Sequence, residues 1–417
     1  MAEKADIIQG PSPYRGWGVT FAGMGINLAL GILYTWSMFK GAIEKDFGWA
    51  GAKLNDPYAL CCLVFAFAMI LAGRCQDKFG PRLTASIGGL LVAAGMILIS
   101  RTNSYTVWVL GFGVLVGTGI GFGYSSATPP ALKWFPPSKT GLIAGLVVAG
   151  FGLAPVYLAP TSQKLLAAYG LQTSMLIFGI AFFVIVCGLA QFLVNPPAGY
   201  VVASKSGAAK PAAASSAPGE MLRTPSFWLL WVLYFIGAGA GLMVISSISP
   251  MAKKSMGDAA FIAVAVMAVG NAAGRIGAGL LSDRIGRRWT LMIVLLCQAV
   301  LMFIAIPVTG SQNTAGVVIV LIATVIGFNY GANLSLFPSF TKDLWGLKSF
   351  GVNYGLLFTA WGVGGFVFSR VQQTLVAGSA SKSYASSFVL AGVLLIVGAV
   401  MTFRIRPPQP KLVAVPA

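Results

Sequence analysis

Long apolar runs alternate with short charged clusters along the whole chain. The runs lie near 16–39, 54–74, 82–100, 105–128, 140–162 and 170–194, and again near 225–248, 258–281, 289–308, 314–337, 350–374 and 384–404. Each is close to the roughly 20 apolar residues that carry a helix across a bilayer. In lipid a single chain satisfies its backbone polar groups within helices, so the pattern predicts an all-α integral membrane protein with twelve transmembrane helices. Residues 195–224 contain PPAGYVVASKSGAAKPAAASSAPG, which is too polar and irregular to span. The expected organisation is therefore a six-helix bundle over 1–194, a cytoplasmic linker over 195–224 and a second six-helix bundle over 225–417.

Composition agrees with this picture. The chain is 57% hydrophobic and 9% charged, against about a quarter charged in soluble domains. A net charge of +18 would suggest nucleic acid in a soluble protein, but here the charges sit between the apolar runs. With both termini in the cytoplasm, eighteen of the 28 Lys and Arg fall on the cytoplasmic side, nine on the other, and Arg275 on neither. That bias is the one that orients multi-pass proteins, and it accounts for the basic balance without a nucleic-acid partner. A plasma or inner membrane location is expected, with the lipid bilayer as surroundings and a monomer as the assembly. Met1 to Pro13 is polar and leads into an apolar run longer than a signal-peptide core, so it reads as the lead-in to a retained first span. The five cysteines (Cys61, Cys62, Cys75, Cys187 and Cys297) are odd in number and lie in or beside apolar stretches, which points to packing rather than a disulfide framework.

The two halves repeat. GRCQDKFGPR at 73–82 follows the second span and GLLSDRIGRR at 279–288 follows the eighth, sharing G-x-x-x-D-[RK]-[FI]-G at an offset of 206 residues. The same offset carries GFGY at 121–124 onto GFNY at 327–330, and Gly141 and Gly145 match Gly351 and Gly355 after a four-residue slip. An acidic residue at a helix end beside basic residues in a short turn can close a gate by ion pairing, with glycines allowing close approach. Asp77 with Arg82 and Asp283 with Arg287 are the gating candidates. The duplicated loop, twelve spans and central linker resemble the major facilitator superfamily. That resemblance implies two pseudo-symmetric bundles around a midplane site, opened alternately to either side.

Every acidic residue falls in a loop, a terminus or a span end, and the chain has no histidine. The one plainly intramembrane charge is Arg275, eight residues before Asp283 and so roughly 12 Å from that helix end. An unpaired cation there is costly, and its surroundings, GNAAGRIGAG at 270–279, are small residues suited to close packing. The missing partner is most economically an anion from outside, because a guanidinium fork matches a carboxylate. Arg275 is the expected substrate ligand. Asn271, one turn earlier on the same face, can help bind or orient the guanidinium, or make an interhelical bond. Tyr34, Tyr124 and Tyr330 lie near the same depth and can each donate an O–H.

Further stretches resemble the oxalate/formate exchangers and the monocarboxylate porters: YTW at 34–36, WFPPSKTGLIAG at 134–145, GEMLRTPSFW at 219–228 and NYG at 353–355. In both branches span eight carries a carboxylate-binding arginine, which the resemblance places at Arg275. Oxalate/formate exchangers carry a lysine eight residues after the Asn of NYG, where this chain has Trp361. One cation leaves the second charge of a dicarboxylate uncompensated in a low dielectric, so monocarboxylates such as lactate or pyruvate are expected. Trp361, with Leu28 and Leu146, would wall the short carbon chain. Monocarboxylate porters carry an acid one turn before the arginine, and here that residue is Asn271; their acidic signature at span one is altered to YRGW at 14–17. Proton symport is the expected coupling, and oxalate/formate-type exchange is the alternative. No nucleotide motif or metal cluster suggests a cofactor, and no catalytic group suggests an enzyme.

Overall fold

The computed structural model describes residues 13–49, 51–54, 56–197, 200, 216–245, 256, 260–310, 316–379 and 383–405. Among these the regular elements are all helical, and eleven helices are long and apolar enough to cross a membrane. One of them, Thr140–Ala190, has 51 residues, about 75 Å if straight and more than twice a bilayer core of about 30 Å. It is broken at Gly170, whose φ of 71° and ψ of 179° are not helical, so it contributes spans five and six. Twelve spans result among the described residues.

Span one is Pro13–Leu30 continued through a 3₁₀ turn, Gly31–Thr35, into Trp36–Phe47. Spans two to four are Asp56–Phe79, Pro81–Ile99 and Tyr105–Lys133. Spans seven to twelve are Pro225–Ile245, Ala260–Ile285, Arg287–Gly310, Gly316–Trp345, Phe350–Ala377 and Ala385–Met401. Several helices run past their apolar stretches. Span two continues through the charged motif to Phe79 and span ten to Trp345, because a helix ends where backbone geometry stops it rather than at its first charge. Of the linker, residues 198–199 and 201–215 lie outside the described residues, as do 1–12 and 406–417. The end of the linker docks on the second half: Ser216 donates its N–H to the Trp345 carbonyl at 3.1 Å and accepts from Asn353 Nδ2 at 3.1 Å. All five cysteines are free; Cys61 is buried as expected of a packing residue, whereas Cys297 is exposed.

The halves meet along two seams, span two against span eleven and span five against span eight. Both motif glycines have a structural reason. A Cβ at Gly73 would lie 2.2 Å from the Gly351 backbone, and one at Gly279 would lie 2.2 Å from the Gly141 carbonyl. Gly80 and Gly286, the repeat-related glycines that end the motif, have φ of 87° and 93°, a region that side chains disfavour.

The motif acids close these seams, but not as the sequence suggested. Asp77 accepts the N–H groups of Gly351 at 3.1 Å and Val352 at 3.2 Å. Asp283 accepts those of Gly141 at 2.9 Å and Leu142 at 3.0 Å. Each carboxylate thus caps the first turn of a helix in the opposite half, satisfying orphan donors and facing the positive end of the helix dipole. Arg287 does pair with Asp283 at 2.6 Å, and with Asp343 at 3.0 Å. Arg82, expected as the gating partner of Asp77, is exposed and makes no ion pair among the described residues. The helix terminus takes its place because two fixed amides hold a carboxylate without the entropy of ordering a long side chain.

Two outcomes are expected. Gly73→Val wedges spans two and eleven apart and disfavours the closed seam, so Cys62, which lines the cavity that opens between the halves on the side away from the seams, should, with the other cysteines replaced by serine, react several-fold more slowly with a membrane-impermeant thiol reagent applied from that side; an unchanged rate contradicts the seam. Asp283→Asn keeps one acceptor and loses the charge; at about 1 kcal/mol per lost cap it should shift the same equilibrium about fivefold.

Candidate functional site

A cavity of about 450 Å³ lies between the halves. Lys40, Arg370 and Tyr384 line it. They sit at the ends of spans one, eleven and twelve that are opposite Pro13, Phe350 and Met401. It is therefore open on the side away from the capped seams. Its floor includes Tyr34, Asn271 and Trp361. Tyr34 reaches the floor from the 3₁₀ turn Gly31–Thr35, a mid-helix irregularity of the kind that marks functional positions. Beneath the floor, aromatic rings from both halves close the route: Phe65, Tyr124, Phe151 and Phe358 have ring centroids 5.1 to 6.0 Å apart in successive contacts.

Arg275 is wholly buried and does not itself line the cavity. Its Nε donates to Asn271 Oδ1 at 3.0 Å, and its Nη1 donates to the Val148 carbonyl of span five, across the seam. Nη2 makes a longer contact of 3.5 Å with Tyr34 Oη. No carboxylate pairs with Arg275 among the described residues. Gly152 makes room for this arrangement, since a Cβ there would sit 3.2 Å from Arg275 Nε and 3.3 Å from Asn271 Oδ1.

Hydrogen-bond donors outnumber acceptors in this cluster. Trp361 Nε1 donates to Tyr330 Oη at 2.9 Å, and Tyr330 and Tyr34 share one bond of 2.7 Å between their hydroxyls. An indole N–H and a guanidinium only donate, whereas each phenol has a single proton. The chain Trp361–Tyr330–Tyr34–Arg275 contains two phenolic protons, and the Tyr34–Tyr330 bond uses one of them. Tyr330 is enclosed and Tyr34 lines the cavity, so with Tyr330 as the donor of the shared bond the unspent proton is that of Tyr34. Asn271 likewise turns its oxygen to Arg275, which leaves its NH₂ group toward the cavity. An anion-accepting floor results: one buried cation with two outward donors.

The other expected residues fall differently. Tyr330 is buried behind Tyr34, and Tyr124 is buried in the aromatic layer with its hydroxyl unpartnered. The Trp361 ring lines the cavity and stacks on Phe358 at 5.0 Å, while its indole N–H donates to Tyr330. Leu28 and Leu146 are half-buried and neither borders the cavity. Leu28 instead gives its carbonyl to the Tyr157 hydroxyl at 3.1 Å. The flanks of Leu146 face helices, Gly145 packing on the Arg275 backbone. Lys40, Arg370 and Gly152 escaped the sequence reading. The first two stood among charges that orient the protein.

Known proteins agree with this architecture. The chain is similar to the oxalate:formate antiporter of Oxalobacter formigenes, 29% identical over 336 residues that cover 79% of this chain and 77% of that one. It is also similar to monocarboxylate transporter 13 of Rattus norvegicus, 25% identical over 392 residues covering 93% and 88% respectively. Among solved structures, the outward conformation of the transporter FucP superposes with a TM-score of 0.67 over 93% of this chain and 98% of that one, at 15% identity, and so shares its fold. The model of the Major Facilitator Superfamily matches residues 17–369, and with two capped seams around a central cavity the chain belongs to that superfamily of transporters.

Proposed function

We propose that this protein is a secondary transporter of small monocarboxylates of the lactate and pyruvate kind, working by alternating access and coupled to proton symport. The observation that carries the reading is the fully buried Arg275, without a carboxylate partner among the described residues, relayed to an open cavity by the spare donors of Tyr34 and Asn271. The relatives named for oxalate, formate and monocarboxylates support a carboxylate as cargo.

A carboxylate reaching the floor meets the Tyr34 O–H and the Asn271 NH₂ first. To gain the guanidinium it displaces either the long Tyr34 contact or the Val148 carbonyl. The second exchange ties cargo to motion, because the Arg275–Val148 bond joins span eight to span five. Taking the carboxylate releases one link of that seam, and the charge-assisted bond that replaces it is roughly twice as strong as a neutral one. One cation matches one negative charge; a dianion would bring a second into the same apolar floor, against Phe151 and Trp361. No Asp or Glu lines the cavity among the described residues, so in this scheme the proton travels on the substrate carboxylate. Both termini then lie in the cytoplasm and the cavity opens outward.

Lactate binding to purified protein tests the scheme. Arg275→Lys keeps the charge and loses the fork, and at least a tenfold loss of affinity is expected; wild-type affinity contradicts the assignment. Tyr34→Phe removes one donor, for which about 0.5–1.5 kcal/mol corresponds to roughly two- to twelvefold weaker binding. Tyr124→Phe, which removes a hydroxyl beneath the floor, should change affinity less than twofold.

A further inference from the structure

The cavity carries a second feature that the transport reading leaves unused. Two cations line it near its mouth, Lys40 from the first half and Arg370 from the second, and no acid lines it among the described residues. Arg370 is already engaged: its guanidinium lies 3.7 Å from Asp56 and contacts Gln373 Oε1 at 3.5 Å. Asp56 in turn accepts the Tyr105 hydroxyl at 2.7 Å. Lys40 makes no ion pair among the described residues, even with Glu44 one helical turn further on, which is exposed. A half-buried ammonium without a counter-ion on the wall of an apolar-sided cavity attracts anions from solution.

We propose that Lys40 is a capture site for carboxylates, separate from the Tyr34–Asn271 floor and reached before it. Its position along span one sets it toward the mouth. Lys40 lies six residues beyond Tyr34 along span one, roughly 9 Å along the axis at 2.0 Å for the 3₁₀ step and 1.5 Å for each α step. Lys40 therefore stands nearer the mouth than the floor does, and it is not among the donors that surround Arg275. Its effect is instead on encounter: a charged, low-dielectric cleft raises association rates by about 10 to 10³ at low ionic strength, and salt removes the effect. Its ammonium and the Arg370 guanidinium also come from opposite halves. When the mouth narrows they approach, and an anion between them relieves the repulsion, which favours closure of the loaded carrier over the empty one.

The inference rests on carboxylate transport by this cavity, and the test separates the two. Labelled L-lactate uptake into proteoliposomes is measured for wild type, Lys40→Gln and Lys40→Arg in low and high salt. At low salt Lys40→Gln should raise KM about fivefold with kcat retained, the difference should vanish in 0.5 M salt, where screening acts within a few ångströms, and Lys40→Arg should behave as wild type. Wild-type KM and salt dependence in Lys40→Gln overturn the capture site and leave the floor assignment standing. Loss of kcat in both variants makes Lys40 a structural residue and likewise overturns it. Absence of saturable lactate uptake in the wild type overturns the transport reading, and the capture site with it.

Discussion

A guanidinium held in the middle of a membrane with no carboxylate partner among the described residues is the constraint around which this protein is arranged. By insertion scales such a charge costs about 2.5–3.5 kcal/mol at a helix centre. The chain offsets this with dipoles rather than with a counter-charge: the Asn271 amide oxygen, the Val148 carbonyl and the Tyr34 hydroxyl. Dipoles satisfy the N–H groups while leaving the net charge in place. The floor keeps its positive charge, which an ionised aspartate at position 271 would cancel.

The same economy recurs at the closed end. Asp77 and Asp283 hold the halves together by capping helices of the opposite bundle, and the Arg275–Val148 bond is a third crossing between span eight and span five. All three are hydrogen bonds to backbone groups at glycine-paired seams, where Gly73 meets Gly351 and Gly279 meets Gly141. Such contacts depend on close approach and are lost over a small separation, which suits parts that must part and rejoin. The aromatic layer of Phe65, Tyr124, Phe151 and Phe358 fills the space between them with ring contacts.

Much of this was legible in the sequence, and the limits have physical causes. Span number and the internal repeat are periodic properties, visible because each helix crosses the same thickness of lipid. Arg275 stood out because a lone charge in an apolar run has few explanations. Its relation to Asn271 followed from helical spacing, whereas its bond to the Val148 carbonyl depends on how two helices 127 residues apart are packed, and a carbonyl leaves no mark in a sequence. Arg82 misled because the motif is rich in cations while the actual partner is a helix terminus. Leu28 and Leu146 point elsewhere because the rotation of each helix about its axis is set by neighbours. The hydrogen bond by which Trp361 supports Tyr330 is likewise a matter of three-dimensional placement.

One measurement bears most directly on the claim that the Arg275 floor accepts a single negative charge. It is the accumulation of labelled lactate in proteoliposomes with no internal anion, under an acidic-outside pH step, with oxalate as competitor. Gradient-driven lactate accumulation that oxalate leaves untouched is the result expected of a one-cation floor coupled to the proton. Uptake that requires an internal counter-anion and is blocked by oxalate as well as by unlabelled lactate would contradict it.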